Sequence, residues 1–213
     1  KTPHFLWNAK MRFGKTFAAY QLAKKMGWTK ILVMTFKPAV ESAWDDDLKE
    51  HIDFAGWQFV SASQNTLWHK DINEKKPFVC FGSFQDYLGK NKSTGGVKTK
   101  NEWVHKTKWD CIIFDEYHYG AWRENAKELF EAEDKKEKEF AEGQGLEDLD
   151  ENILPIETQA YLYLSGTPFR AIASGEFIEE QIYNWTYSDE QRAKDNWIGS
   201  GNPYLSLPRM VML

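Results

Sequence analysis

Short apolar runs alternate with segments of helical period along most of this 213-residue chain. That alternation predicts an α/β fold with a mainly parallel central sheet, helices serving as crossovers between strands. "HFLWNA" reads as a first strand. "GKTFAAYQLAKKMG" reads as the helix behind it, with Phe17, Leu22 and Met26 near helical spacing and Gly27 as the stop. "KILVMTF" is a second, buried strand, and "PAVESAWDDDLKEH" a second helix with Pro38 close to its start. "WQFVSA", "PFVCFGS", "WDCIIFDE" and "AYLYLSGTP" supply four more strands. Each candidate motif begins where a strand ends, and ligand sites of parallel α/β sheets gather at those carboxyl ends.

Two segments depart from the pattern. "GKNKSTGGVKTKNEW" is polar and glycine-containing, which predicts a loop-like insertion. "RENAKELFEAEDKKEKEFAEGQG" carries helix formers and i, i+4 pairs such as Glu131 with Lys135, but only a thin apolar stripe, which predicts a solvated helix ending near Gly143. Near the C-terminus, "EFIEEQIYNWTYSDEQRAKDNW" reads as helical and polar, and "NPYLSLPRMVML" as a strand leading out.

Composition sharpens this picture in three places. The aromatic content of 15%, with ten Trp, argues for a packed globular domain and against disorder. No apolar run approaches the roughly 20 residues that span a bilayer, and no signal-peptide pattern opens the chain. Cys80 and Cys111 each sit inside an apolar run, which predicts buried, reduced thiols and a cytoplasmic protein. The chain opens on Lys1 rather than Met, as an excised fragment would.

The net charge of −5 gives no support to nucleic-acid binding, but it is unevenly spread. Arg123 to Glu151 holds twelve acids and five bases, or −7, leaving about +2 for the rest. Between Lys90 and Lys108 six lysines face one acid, with Trp103 among them as a possible stacking face. Solvated loop lysines remain the simpler reading of that run.

The chemistry begins at "AKMRFGKT". It follows the phosphate-loop pattern G-x-x-x-x-G-K-[ST], except that Ala9 stands at the first glycine. Backbone N–H groups from Ala9, Lys10, Met11, Arg12, Phe13 and Gly14 into Lys15 and Thr16 would cradle phosphates. Lys15 would reach the terminal ones, and Thr16 would place its hydroxyl on Mg²⁺. Ala9 costs conformational freedom at its corner but keeps the backbone donors. "CIIFDEYH" is the second element. Asp115 at the end of a buried strand can hold Mg²⁺, usually through water, and Glu116 can polarise an attacking water as general base. An ordinary acidic strand end is the bland alternative, and the loop upstream is what favours chemistry. In "LYLSGTPFR", Ser165 and Thr167 end another strand where their hydroxyls can meet Asp115 or His118, although Gly and Pro signal a plain turn equally well.

The order "FGKT … DEYH … SGTP" resembles the first RecA-like domain of superfamily 2 helicases and translocases of the DExH type. The "MRFGKT" loop and "SGTPFR" are most similar to the motors of type I and type III restriction subunits and their single-chain relatives. The resemblance runs from Trp7 to about Arg170. It implies a P-loop, RecA-like three-layer sandwich over residues 1–172, with insertions near 90–108 and 123–152, and a connecting segment over 173–213. It further implies ATP and Mg²⁺ as cofactors, Lys15 and Thr16 as motif I, and Asp115 and Glu116 as the metal and base positions. His118, Ser165 and Thr167 match coupling positions. Lys37 and Pro38 match a motif that touches the backbone of one DNA strand, and Ser83 and Gln85 occupy the place of another. A solvated lysine and a helix cap are the plain alternatives for Lys37 and Ser83.

Double-stranded DNA, a second RecA-like domain supplying an arginine finger, and nuclease, methyltransferase or specificity modules are the partners so implied; a membrane is not. Nothing after Arg170 resembles that second domain, and no nuclease motif stands out. The isolated chain is therefore expected to be weakly active, since a finger contributes several orders of magnitude in rate. Another P-loop ATPase, such as a viral packaging motor, and a nucleotide- or DNA-binding module without turnover are the competing readings.

Overall fold

The computed structural model describes residues 2–10, 12–36, 38–61, 68–88, 102–117, 156–166 and 177–209. The six expected strands are present: β1 (His4–Ala9), β2 (Lys30–Thr35), β3 (Gln58–Ser61), β4 (Phe78–Ser83), β5 (Cys111–Asp115) and β6 (Tyr161–Ser165). A seventh, β7 (Ile182–Trp185), joins them in one sheet of order β3-β4-β2-β5-β6-β1-β7. Every pairing is parallel.

A parallel sheet needs cover on both faces, and the alternation of side chains supplies it. Along β2, Leu32 and Met34 enter one core while Ile31 and Val33 enter the other. The second core is closed by α1 (Lys15–Met26) and α2 (Glu41–Glu50) through Ala19, Tyr20, Ala23, Trp44 and Leu48. On the first face, α3 (Phe84–Leu88) and α4 (Glu102–Lys106) contribute Phe84, Tyr87 and Val104 beside Trp109. Gly27, with φ of 71°, ends α1 as expected, its N–H and that of Trp28 returning to the last carbonyls. Both cysteines are free and buried, and burial pushes both thiols up, away from the reactive range.

Four sequence expectations are corrected. "QIYNW", read as helical, holds β7, because the β1 backbone offers it a parallel partner: Leu6 pairs with Ile182 and Ala9 with Trp185. The helix expected there is confined to α5 (Tyr187–Asp195), capped by Thr186, whose hydroxyl accepts from the Asp189 N–H. Residues 202–209, expected as a strand, form turns, with Asn202 accepting the Tyr204 N–H. The polar insertion gives way to α4 at Glu102, and Trp103 packs on Trp109 (centroids 5.9 Å apart) rather than standing out as a stacking face. The acidic segment 123–151 lies outside the described residues. No described helix is long and apolar enough to cross a membrane.

Candidate functional site

Because all seven strands run the same way, their carboxyl ends form one edge, and the sheet order fixes which ends are neighbours. Register aligns Ser83, Thr35 and Asp115 across β4, β2 and β5. Ser165 follows on β6, aligned with Asn8 of β1, and Ala9 aligns with Trp185 of β7. Ser165 therefore stands between the end of β1 and the end of β5, so β6 separates the "GKT" loop from the "DE" pair by one strand. Ala9, Thr35, Asp115 and Ser165 are all buried.

The loop from Lys10 to Gly14 turns through two left-handed residues, Arg12 (φ 65°) and Gly14 (φ 80°). Such a conformation suits glycine and costs other residues about 1–2 kcal/mol, so Arg12 is held there against its preference. At Gly14 a side chain would meet nothing within 4 Å, so glycine is required by the backbone angle and the space beside it is open. Gly14 caps α1, whose first intrahelical bond is from the Ala18 N–H to its carbonyl at 2.9 Å. Helix geometry leaves the N–H groups of Lys15 and Thr16 without an intrahelical acceptor. The Asp47 carboxylate of α2 lies near the next one, of Phe17, which favours its ionised form. Lys15 and Thr16 are half-buried, and Lys15 Nζ donates to the Ala9 carbonyl at 3.3 Å. This carbonyl belongs to the loop's own first residue, so the ammonium lies folded back over the cradle.

Lys10 serves a different purpose from the one its place in the loop suggests. Its N–H donates to the Trp185 carbonyl at 3.1 Å. Its Nζ lies 2.5 Å from Glu190 Oε2, with both side chains under a tenth exposed, and 4.7 Å from the centre of the Tyr187 ring. Its backbone N–H and its ammonium are thus engaged with β7 and α5. Lys10 braces the loop and is not among its open donors, a role the sequence hid because Glu190 lies 180 residues away.

Asp115 closes β5 with both oxygens engaged. Oδ1 accepts from the Glu116 N–H at 2.9 Å, and Oδ2 accepts from the Trp44 indole Nε1 at 2.7 Å. Burial raises its pKa. The Trp44 and Glu116 donors pull the other way, as does the positive charge of Lys15, while the Glu116 carboxylate adds to the rise. Glu116 sits in the left-handed region (φ 55°) and is half-buried. After it the chain rejoins β6, with Tyr117 N–H donating to Leu164 O at 2.8 Å. Trp44 was not singled out by sequence; a tryptophan in a polar helix gives no signal of a partner 71 residues away.

Of the expected DNA contacts, Pro38 is exposed at the opening of a 3-10 turn, Pro38–Val40, that leads into α2. Ser83 acts as the cap of α3: its hydroxyl donates to Asp86 Oδ2 at 2.6 Å and accepts the Asp86 N–H at 3.2 Å. The plain alternative thus accounts for its side chain. Met11, Lys37, His118 and Thr167 lie outside the described residues, as does the side chain of Gln85.

The donor set fits a magnesium nucleotide. A glycine at positive φ, two helix-start N–H groups and a lysine gathered after one strand suit phosphate. Among the described residues no group of three or more His, Cys, Asp or Glu side chains converges. A single carboxylate is nevertheless what Mg²⁺ commonly takes from a protein when phosphates supply further ligands.

A family described as type III restriction enzyme, res subunit, matches residues 10–170. The C-terminal part of a Mycoplasma pneumoniae protein, named as a type II restriction enzyme and methyltransferase, is 35% identical over 209 residues. That match takes in 89% of this chain and 29% of the relative's length, so the chain spans under a third of that relative. Among solved structures, the SWI2/SNF2 ATPase core of Sulfolobus solfataricus in complex with dsDNA superposes with a TM-score of 0.50. It is 16% identical, over 80% of this chain and 29% of that one. Together with the all-parallel sheet and the loop after β1, these matches make the fold a P-loop, RecA-like three-layer sandwich, and the chain belongs to the type III restriction enzyme res subunit family.

Proposed function

We propose that this chain is the first half of an ATP-driven motor that moves along double-stranded DNA within a restriction enzyme. The observation that carries the reading is the convergence of Lys15, Thr16, Asp115 and Glu116 on one sheet edge, with only β6 between their strands. Membership of the restriction family and a relative named as a restriction enzyme support it.

In this reading the N–H groups of the α1 start and the Lys15 ammonium would hold the terminal phosphates, and Thr16 and Asp115 would hold Mg²⁺. Bound Mg·ATP supplies an electrophilic γ-phosphorus and a good leaving group. Glu116 would take the proton of the attacking water. Lys15 balances charge as it builds on the phosphate oxygens. Ser165, set between the two motifs, couples them together with Thr167 and His118. Pro38, Lys37, Ser83 and Gln85 are the proposed strand contacts; for Ser83 this requires release from Asp86 Oδ2, to which both its N–H and its hydroxyl donate. Contacts to phosphate without base readout make tracking independent of sequence. An arginine from a second RecA-like domain would complete the site, and nuclease or methyltransferase modules would accompany it.

The test is ATP hydrolysis with and without duplex DNA, by this chain and by any longer protein that carries it, beside Lys15→Ala and Glu116→Gln. Turnover stimulated by DNA and lost in both variants is the expected result. Turnover indifferent to DNA would refute the motor reading in favour of another P-loop ATPase.

A further inference from the structure

Resting on the metal role proposed for Asp115, we infer that Trp44 is a positioning residue of the metal site: its indole N–H sets the plane of the Asp115 carboxylate for a hydrated divalent cation. Asp115 is buried at the end of β5, and its two hydrogen bonds come from different directions. The Glu116 N–H holds Oδ1 from the same strand, and Trp44 Nε1 holds Oδ2 from α2 at 2.7 Å. Each carboxylate oxygen has two lone-pair sites, so one donor apiece fixes the rotation of the group and leaves acceptor capacity on both oxygens. With either donor gone, the carboxylate is free to turn about its χ2 bond.

The indole can serve as a fixed reference because it is itself held at both ends. The residue is fully buried, the Tyr20 ring meets it edge-on at 5.3 Å and 89°, and Tyr20 Oη donates to the Trp44 carbonyl at 2.7 Å. A buried indole always needs an acceptor, but it need not be a carboxylate. Trp109, equally buried, finds its acceptor nearby in the Val104 carbonyl. Trp44 instead reaches Asp115, the carboxylate that ends β5. Groups that orient a metal ligand from behind in this way typically govern metal affinity by about 10–100-fold.

The experiment separates the N–H from the bulk of the ring. Trp44→Phe keeps most of the volume and removes the donor. Trp44→His keeps a ring N–H at the matching position and removes the benzo ring. Each variant is titrated by calorimetry with a non-hydrolysable ATP analogue, once in saturating Mg²⁺ and once in EDTA, and melted to read its stability. The wild-type chain is expected to bind more tightly with Mg²⁺. W44F should lose about tenfold or more of that Mg²⁺-dependent gain with its EDTA affinity unchanged. W44H should keep the gain even though it melts lower than W44F. An undiminished gain in W44F would overturn the inference. So would a loss in W44H as large as that in W44F, which would make the effect one of packing. A wild-type chain that binds the analogue equally with and without Mg²⁺ would overturn the metal role of Asp115 and this inference together.

Discussion

Glu190→Gln removes the charge opposite Lys10 and leaves the shape of the site unchanged. The two groups are 2.5 Å apart, and their side chains are 8% and 7% exposed, so water cannot replace the lost partner. Breaking a buried pair by removing one member costs about 3–5 kcal/mol. Two features reduce that figure here. The glutamine oxygen still accepts from Lys10 Nζ, and the Tyr187 ring face, 4.7 Å away, retains an attraction of about 0.5–2 kcal/mol for the ammonium. The expected loss is therefore about 2–3 kcal/mol, or roughly 5–10 °C in Tm for a chain of this length. Urea denaturation of the purified chain measures it. Arg192→Ala provides the internal control, because its pair with Asp189 is largely exposed and should be worth at most about 1 kcal/mol. The double variant Lys10→Met, Glu190→Leu should be more stable than E190Q, since neither member is then left charged and buried. An E190Q loss of less than about 0.5 kcal/mol would refute the account, because a desolvated pair cannot be broken so cheaply.

Two glycines should lose stability on substitution for different reasons. Gly82→Ala would place a Cβ 2.5–2.7 Å from the buried Tyr87 ring, whose Oη is held 2.8 Å from Cys80 Sγ, and should cost about 3 kcal/mol or more by overpacking. Gly14→Ala meets open space and should cost only the left-handed angle, about 1–2 kcal/mol; a denaturation series that ranked it the worse would contradict this. Asp47→Asn should stabilise the chain at neutral pH, because burial, Asp46 and Glu50 raise the carboxyl pKa and so penalise its ionised form in the fold. That gain should shrink as pH falls through the raised folded value and vanish below the unfolded one near 3.8; a gain that persisted in acid would sink the electrostatic cause.

What the sequence determined by itself was local. Runs such as "KILVMT" and "CIIFD" are buried on both faces, so their apolar continuity identified them as strands, and Gly14 and Gly27 marked the two ends of α1 because the backbone there turns left-handed. The candidate loop and the "DE" pair were legible for the same reason, as each lies at the end of such a run. β7 was not, because among the described residues only one of its edges is paired and its four residues are little buried, so it lacks the continuous apolar run of the inner strands. Only the tertiary structure decided which strand ends are neighbours, since strand order depends on crossovers that leave no local trace. It brought Trp44 to Asp115 across 71 residues and Glu190 to Lys10 across 180, and it gave the Ser83 hydroxyl to a helix cap. Such pairings depend on the summed burial of the whole sheet, which no window of sequence contains.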